Sequence, residues 1–140
     1  MTSLRVLFLC NKNAVRSPMA EAIGRVLAAN NKTFEFQSAG VDPSDIDGFA
    51  IAAMSEQDID LMRHEARDLS DFSKQDFDCL ICLSTGAIRH AEQRFGMADF
   101  IEHWDVGDPS LVDGNREQQL EAYRQVRDTL TKRIRKRFSL

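Results

Sequence analysis

Leu4-Arg5-Val6-Leu7-Phe8-Leu9-Cys10-Asn11-Lys12-Asn13-Ala14-Val15-Arg16-Ser17-Pro18 joins a strand-length apolar run to a helix start through a short polar loop. Leu4 to Leu9 is mostly apolar, suits a strand buried in a sheet, and stops at Cys10. Pro18 belongs in the first turn of a helix, where its fixed φ fits and its missing N–H costs nothing. Met19, Ala22, Ile23, Val26 and Leu27 then fall on one helical face. The chain therefore opens as strand, loop, helix.

The same alternation continues outward. Thr33 to Ser38 sets Phe34 and Phe36 between polar neighbours, a second strand that Ala39-Gly40 ends with a turn signal. Asp45 to Gln57 reads as a helix with Ile46, Phe49, Ala50, Ala53 and Met54 on one side, and Ser70-Asp71-Phe72 starts a short one. Cys79-Leu80-Ile81-Cys82-Leu83 is a continuous apolar run between Asp78 and Ser84-Thr85-Gly86, as expected of a strand covered on both faces. A helix from about Ala87 to Phe95, a fourth strand at Phe100 to Trp104, and a final helix from about Arg116 follow. The last carries Leu120, Tyr123, Val126, Leu130 and Ile134 at three- and four-residue steps. Strands separated by helices imply βαβ units and a mostly parallel sheet, whose ligand site lies beyond the carboxyl ends of the strands. Cys10 stands at such an end.

The 140 residues suit a single domain over 1–140, and 43% hydrophobic with 29% charged residues is ordinary soluble composition. A net charge of −4 argues against nonspecific nucleic-acid binding, which needs a basic face. The run Lys132, Arg133, Ile134, Arg135, Lys136, Arg137 suits a helix C-terminus and is expected to stay solvated. Cys10, Cys79 and Cys82 are too few for a disulfide framework, and no secretory signal or membrane span is expected. The reading is a cytoplasmic protein.

The chemistry concentrates in the loop. Backbone N–H groups from Asn11 to Ser17, together with the free amides of the helix start, form a concave surface for a tetrahedral oxyanion. Arg16 adds a planar, two-pronged charged contact. A thiolate at Cys10 aimed at a bound phosphate is a nucleophile for in-line attack, through a phosphocysteine that splits one hydrolysis into two easier steps. The leaving oxygen needs a proton from a carboxylic acid at another strand end. Asp108, whose geometry Pro109 restricts, and Asp105 both lie just after the fourth strand.

These residues resemble the low-molecular-weight protein tyrosine phosphatases and the thioredoxin-coupled arsenate reductases that share their fold. The marks are Cys10 through Arg16-Ser17, Met19-Ala20-Glu21 after Pro18, Ser38-Ala39-Gly40, and Trp104 shortly before Asp108-Pro109. The resemblance covers nearly the whole chain. It implies an α/β fold of three layers, a four-stranded parallel sheet flanked by helices. It implies Cys10 as nucleophile, Arg16 as phosphate clamp and Asp108 as general acid. Asn11, Lys12, Asn13, Ala14, Val15, Arg16 and Ser17 would hold the phosphate, with Asn13, Ser17 and Ser38 bracing the loop. The implied substrate is a phosphorylated protein or small phosphomonoester, with phosphate or arsenate as inhibitor and no metal or organic cofactor.

Departures from the family pattern bear on specificity. Lys12 stands where glycine is usual, Val15 where a second cysteine is common, and Ser110 where an aromatic residue often follows. The stretch after Gly40 offers Val41, Asp42 and Pro43 but no ring to sandwich a phenyl group. An arsenate reductase would need two further cysteines to carry oxidation away from the nucleophile. Ser84 occupies the first expected position, and Cys79 and Cys82 would point to opposite faces of their strand. A noncatalytic anion-binding module is the other alternative, favoured by Lys12 and the basic tail. His64, His90 and His103 lack metal-ligand spacing and read as structural or surface residues.

Overall fold

In the computed structural model, which describes residues 3–31 and 33–140, the opening run forms strand β1 (Leu4–Cys10) and the helix after it is α1 (Arg16–Leu27). Strand β2 (Phe34–Gly40), helix α2 (Gly48–Ser55), strand β3 (Cys79–Cys82), helix α3 (Thr85–Phe95), strand β4 (Ile101–His103) and helix α4 (Arg116–Phe138) follow. Short 3₁₀ turns occupy Leu69–Asp71, Lys74–Asp76 and Pro109–Leu111. The four strands pair in the order β2-β1-β3-β4, all parallel. The strand order reverses beside β1, and in such sheets the crevice at the reversal receives the ligand.

Alternation along β1 divides the core. Val6, Phe8 and Cys10 face α1, α2 and α4, packing with Met19, Ala53, Leu130 and Ile134, whereas Leu7 and Leu9 face α3 with Ala87 and Ala91. Phe8, Leu130 and Ile134 are fully buried, each worth about 1.5–3 kcal/mol in surface removed from water. Gly24 lets α1 lie against β2, because a Cβ there would come within 2.8 Å of the Phe36 ring.

Helix α4 begins at a reciprocal cap in which the Gln118 amide donates to Asn115 Oδ1 and the Asn115 amide to Gln118 Oε1, both at 2.9 Å. Its basic end is used more than the sequence suggests. Arg137 pairs with Glu102 at 2.7 Å and Arg133 lies 5.0 Å over the Trp104 ring, tying the helix to β4 and the residue after it.

Several boundaries differ from expectation: β3 ends at Cys82, β4 is trimmed to Ile101–His103 and α2 ends at Ser55, and three further shifts have a visible cause. Strand β2 continues through Ala39-Gly40, since Gly40 pairs with Cys10 in register and its amide donates to the Arg67 carbonyl at 2.8 Å. Helix α2 starts only at Gly48, after Asp47 caps it by accepting from the Phe49 and Ala50 amides. Helix α3 starts earlier, at Thr85, because the Ser84 hydroxyl accepts from the Ala87 amide. No helix among the described residues is long and apolar enough to cross a membrane.

Candidate active site

Residues 41–47, expected in part as helix, run extended beside the loop that follows β1. Amides of Val41, Asp42, Ser44 and Asp47 donate to the carbonyls of Cys10, Asn11, Lys12 and Ala14 at 2.7–3.2 Å. In a trans peptide the carbonyl and the next N–H point opposite ways. The N–H groups of Asn11, Lys12, Asn13 and Val15 are thereby aimed away from that segment, toward the loop's concave side. Gly40 is required where the two segments cross: a Cβ would fall 2.7 Å from the Asn13 nitrogen and 2.8 Å from the Lys12 carbonyl carbon.

Asn13 takes the left-handed conformation (φ 52°) that the tight loop demands. Its side chain is fully buried and fully used. Nδ2 donates to Ser17 Oγ at 2.8 Å and to Ser38 Oγ at 3.0 Å, while Oδ1 accepts from the Arg67 amide and from His64 Nε2 at 2.9 and 3.0 Å. Because Oδ1 can only accept, His64 carries its proton on Nε2. Burial pushes the His64 pKa below the ordinary histidine value, opposed by Glu21, whose Oε1 lies 3.8 Å from Nδ1. Ser38 in turn donates to buried Glu21, which Arg25 neutralises at 2.6 Å. Ser17 Oγ sits 2.9 Å from Cys10 Sγ, a contact in which either atom can donate, and can itself donate to the Ala39 carbonyl at 3.3 Å.

A cleft of about 280 Å³ opens over this loop. Cys10, Asn11, Lys12, Ala14, Val15 and Arg16 form its floor and near wall. Ser44, Asp45, Asp47, Asp108 and Ser110 form the far side, and no aromatic lines it among the described residues. The side chains of Asn13 and Ser17 are buried and hydrogen-bonded to each other behind the loop, which leaves the phosphate contacts expected of these two residues to their backbone amides. Lys12 has ordinary negative φ, so the position does not demand glycine; its ammonium reaches the rim 3.6 Å from Asp42, both side chains being largely exposed.

The Arg16 guanidinium crosses the cleft. Its Nη1 donates to the carbonyls of Leu83 and Val106 at 3.1 and 2.9 Å, beyond the ends of β3 and β4, and Nη2 lies 3.7 Å from Asp108 Oδ2. Asp108 caps the 3₁₀ turn at Pro109, and its Oδ1 accepts from the Ser110 amide and hydroxyl. Asp105 is exposed and is absent from the cleft lining, which separates the two aspartates that spacing leaves equivalent. Behind the far wall, the Tyr123 hydroxyl donates to Asp47 Oδ2 at 2.9 Å.

Cys79 and Cys82 lie elsewhere, with their side chains on opposite faces of the sheet. They are 4% and 0% exposed. Burial pushes both thiols up to about 12.

The parts that sequence reading missed are the supports: His64, Glu21, Arg67, Asp47 and Tyr123. His64 and Arg67 meet the loop from 51 and 54 residues away and Tyr123 from a far helix, so no local spacing signals these three, whereas Glu21 lies only four residues after Ser17 on α1, in the Met19-Ala20-Glu21 motif.

Residues 5–139 match the model of the family described as low molecular weight phosphotyrosine protein phosphatase. A glutaredoxin arsenate reductase of Synechocystis sp. is 31% identical, over 93% of this chain and 92% of that protein. The crystal structure of a low molecular weight protein tyrosine phosphatase from T. tengcongensis superposes with a TM-score of 0.85 at 28% identity, covering 98% of this chain and 99% of that one. An arsenate reductase solved in a phosphate-binding state gives a TM-score of 0.77 at 27% identity, over 97% of each chain.

Proposed function

The chain belongs to the low molecular weight phosphotyrosine protein phosphatase family, and from that premise we propose that it hydrolyses a phosphate monoester through a phosphocysteine formed on Cys10. The observation that carries the reading is one cleft lined by Cys10, Arg16 and Asp108, with no second thiol among its lining residues. The loop amides and Arg16 hold the phosphoryl oxygens. Cys10 Sγ attacks phosphorus in line; the bond to the leaving oxygen breaks, and Asp108 supplies that oxygen's proton. Water then gives a proton back to Asp108 and attacks phosphorus. The P–S bond breaks, and the Ser17 hydroxyl donates to the departing thiolate. The absence of an aromatic wall fits a small or polar leaving group better than phosphotyrosine. The cytoplasm is the proposed location.

The relatives' names favour a second reading, arsenate reduction on the same oxyanion loop, more directly than they favour a tyrosine phosphatase. Reducing arsenate to arsenite takes two electrons, so a second thiol must attack the sulfur of Cys10. Cys79 and Cys82 are buried away from the cleft, so that thiol would come from a second molecule, such as glutathione or a dithiol protein.

The test is turnover of p-nitrophenyl phosphate by the wild type, Cys10→Ser and Asp108→Asn, beside arsenite formation from arsenate with glutathione and glutaredoxin. Ester hydrolysis lost in Cys10→Ser and strongly reduced in Asp108→Asn supports the phosphatase. Arsenite formation without ester hydrolysis supports the reductase, and neither activity despite phosphate binding leaves the anion-binding module.

A further inference from the structure

Asp108 presents two unlike oxygens to the cleft. Oδ1 accepts from the Ser110 amide at 2.9 Å and from the Ser110 hydroxyl at 2.6 Å, whereas Oδ2 faces Arg16 at 3.7 Å. An oxygen that accepts two hydrogen bonds has both lone pairs engaged, so a proton arriving on this carboxyl settles on the other oxygen. The amide bond alone would make an ordinary aspartate turn. The hydroxyl adds the shorter contact, on an exposed residue that has no burial to compensate. Of the other groups around this carboxyl, Tyr123 donates to Asp47 and Asp47 caps α2, while Arg16, whose Nη1 is held by two carbonyls, leaves Nη2 facing Oδ2 at 3.7 Å.

We propose that Ser110 is a positioning residue: by holding Oδ1 it fixes the carboxyl plane and leaves Oδ2 as the oxygen that carries the proton toward the leaving group. The inference rests on the phosphatase reading. As the P–O bond breaks, the proton on Oδ2 moves to the leaving oxygen, and it returns to Oδ2 from the attacking water. Pro109 fixes the backbone next to Asp108, so the freedom that remains is rotation of the carboxyl, and Ser110 removes it.

Proton delivery matters most when the leaving group is a poor one. The test compares kcat and KM of wild type, Ser110→Ala and Ser110→Thr on phenyl phosphate and on the more activated p-nitrophenyl phosphate. Ser110→Ala should lower kcat on phenyl phosphate by about three- to tenfold and on p-nitrophenyl phosphate by less than about twofold, with KM little changed. Ser110→Thr, which keeps the hydroxyl, should recover most of the loss. Equal losses on both esters, or none on phenyl phosphate, would overturn the assignment. Crystal structures of the wild type and Ser110→Ala with vanadate bound give a second decision that does not depend on turnover. Asp108 should hold one orientation toward the anion in the first and leave it in the second; an unmoved Asp108 overturns the role of Ser110. A wild type without ester turnover counts against the phosphatase reading alone.

Discussion

Cys10 and Cys82 occupy nearly equivalent places on neighbouring strands, since Cys82 pairs with Leu9, the residue before Cys10. Both are almost inaccessible, at 3% and 0% exposure. Their surroundings differ completely. Cys10 ends its strand at the sheet's reversal point, where loop residues and Arg16 line the cleft beside it and the buried Ser17 hydroxyl meets its sulfur at 2.9 Å. Cys82 faces Leu7, Leu9, Ala87 and Ala91, and burial pushes its thiol up to about 12. One residue type thus becomes a candidate nucleophile or a small core hydrophobe according to the groups the fold brings to it.

The widest separation between the two thiols should appear in turnover. Cys10→Ser is expected to abolish ester hydrolysis, a loss of about 10⁴-fold or more, while Cys82→Ala keeps activity within about twofold and costs only on the order of 1 kcal/mol of stability from the cavity. Comparable losses in the two variants would break the contrast. Next in size, Asp108→Asn should reduce kcat on phenyl phosphate by about 10²–10³-fold, with a smaller loss on p-nitrophenyl phosphate. Gly40→Ala tests whether the crossing of residues 41–47 sets the loop around Cys10: the added methyl meets backbone rather than a movable side chain, which should cost about 1–3 kcal/mol and weaken phosphate binding. A substitution that leaves phosphate affinity intact would show that the loop holds its shape without that fit. Iodoacetamide at mildly alkaline pH should modify Cys10 alone in the folded protein, read by peptide mass, since the other two thiols titrate near 12. Labelling of Cys82 before Cys10 would reverse the comparison.

The smallest effect lies away from both thiols. Hydrogen bonds from Arg124 and Arg127 hold the Glu56 carboxyl down to about 2 from an ordinary value of 4.5. Stability from this cluster is present above the ordinary value and is lost as pH falls toward 2. The urea midpoint should therefore drop between pH 5 and pH 3 by less in Glu56→Gln than in the wild type.

The fold was legible because its signals are local. Leu4 to Cys10, Cys79 to Cys82 and the three- and four-residue steps from Leu120 to Ile134 each declare their period within a few turns or pleats. Two of the boundaries that moved were set by distant partners: Arg67 extends β2 to Gly40, and the carbonyls of the Cys10 loop hold residues 41–47 out of α2, whereas α3 starts early through its own local Ser84 cap. At the site, the step from Cys10 to Arg16 and the pair Asp108-Pro109 could be read directly, since loop and strand-end chemistry is written in adjacent residues. The sequence left Asp105 and Asp108 as rivals on spacing, and only the cleft separates them.

The sequence by itself determined a parallel α/β sheet with Cys10 at the end of its first strand, because side-chain periodicity and turn chemistry act over short chain distances. Tertiary structure decided which groups surround that sulfur. His64 reaches Asn13, Tyr123 reaches Asp47 and Arg16 reaches the carbonyls beyond β3 and β4 across 51 to 90 residues of chain. Such contacts arise from packing two layers of helices on one sheet, and no periodicity in the chain records them.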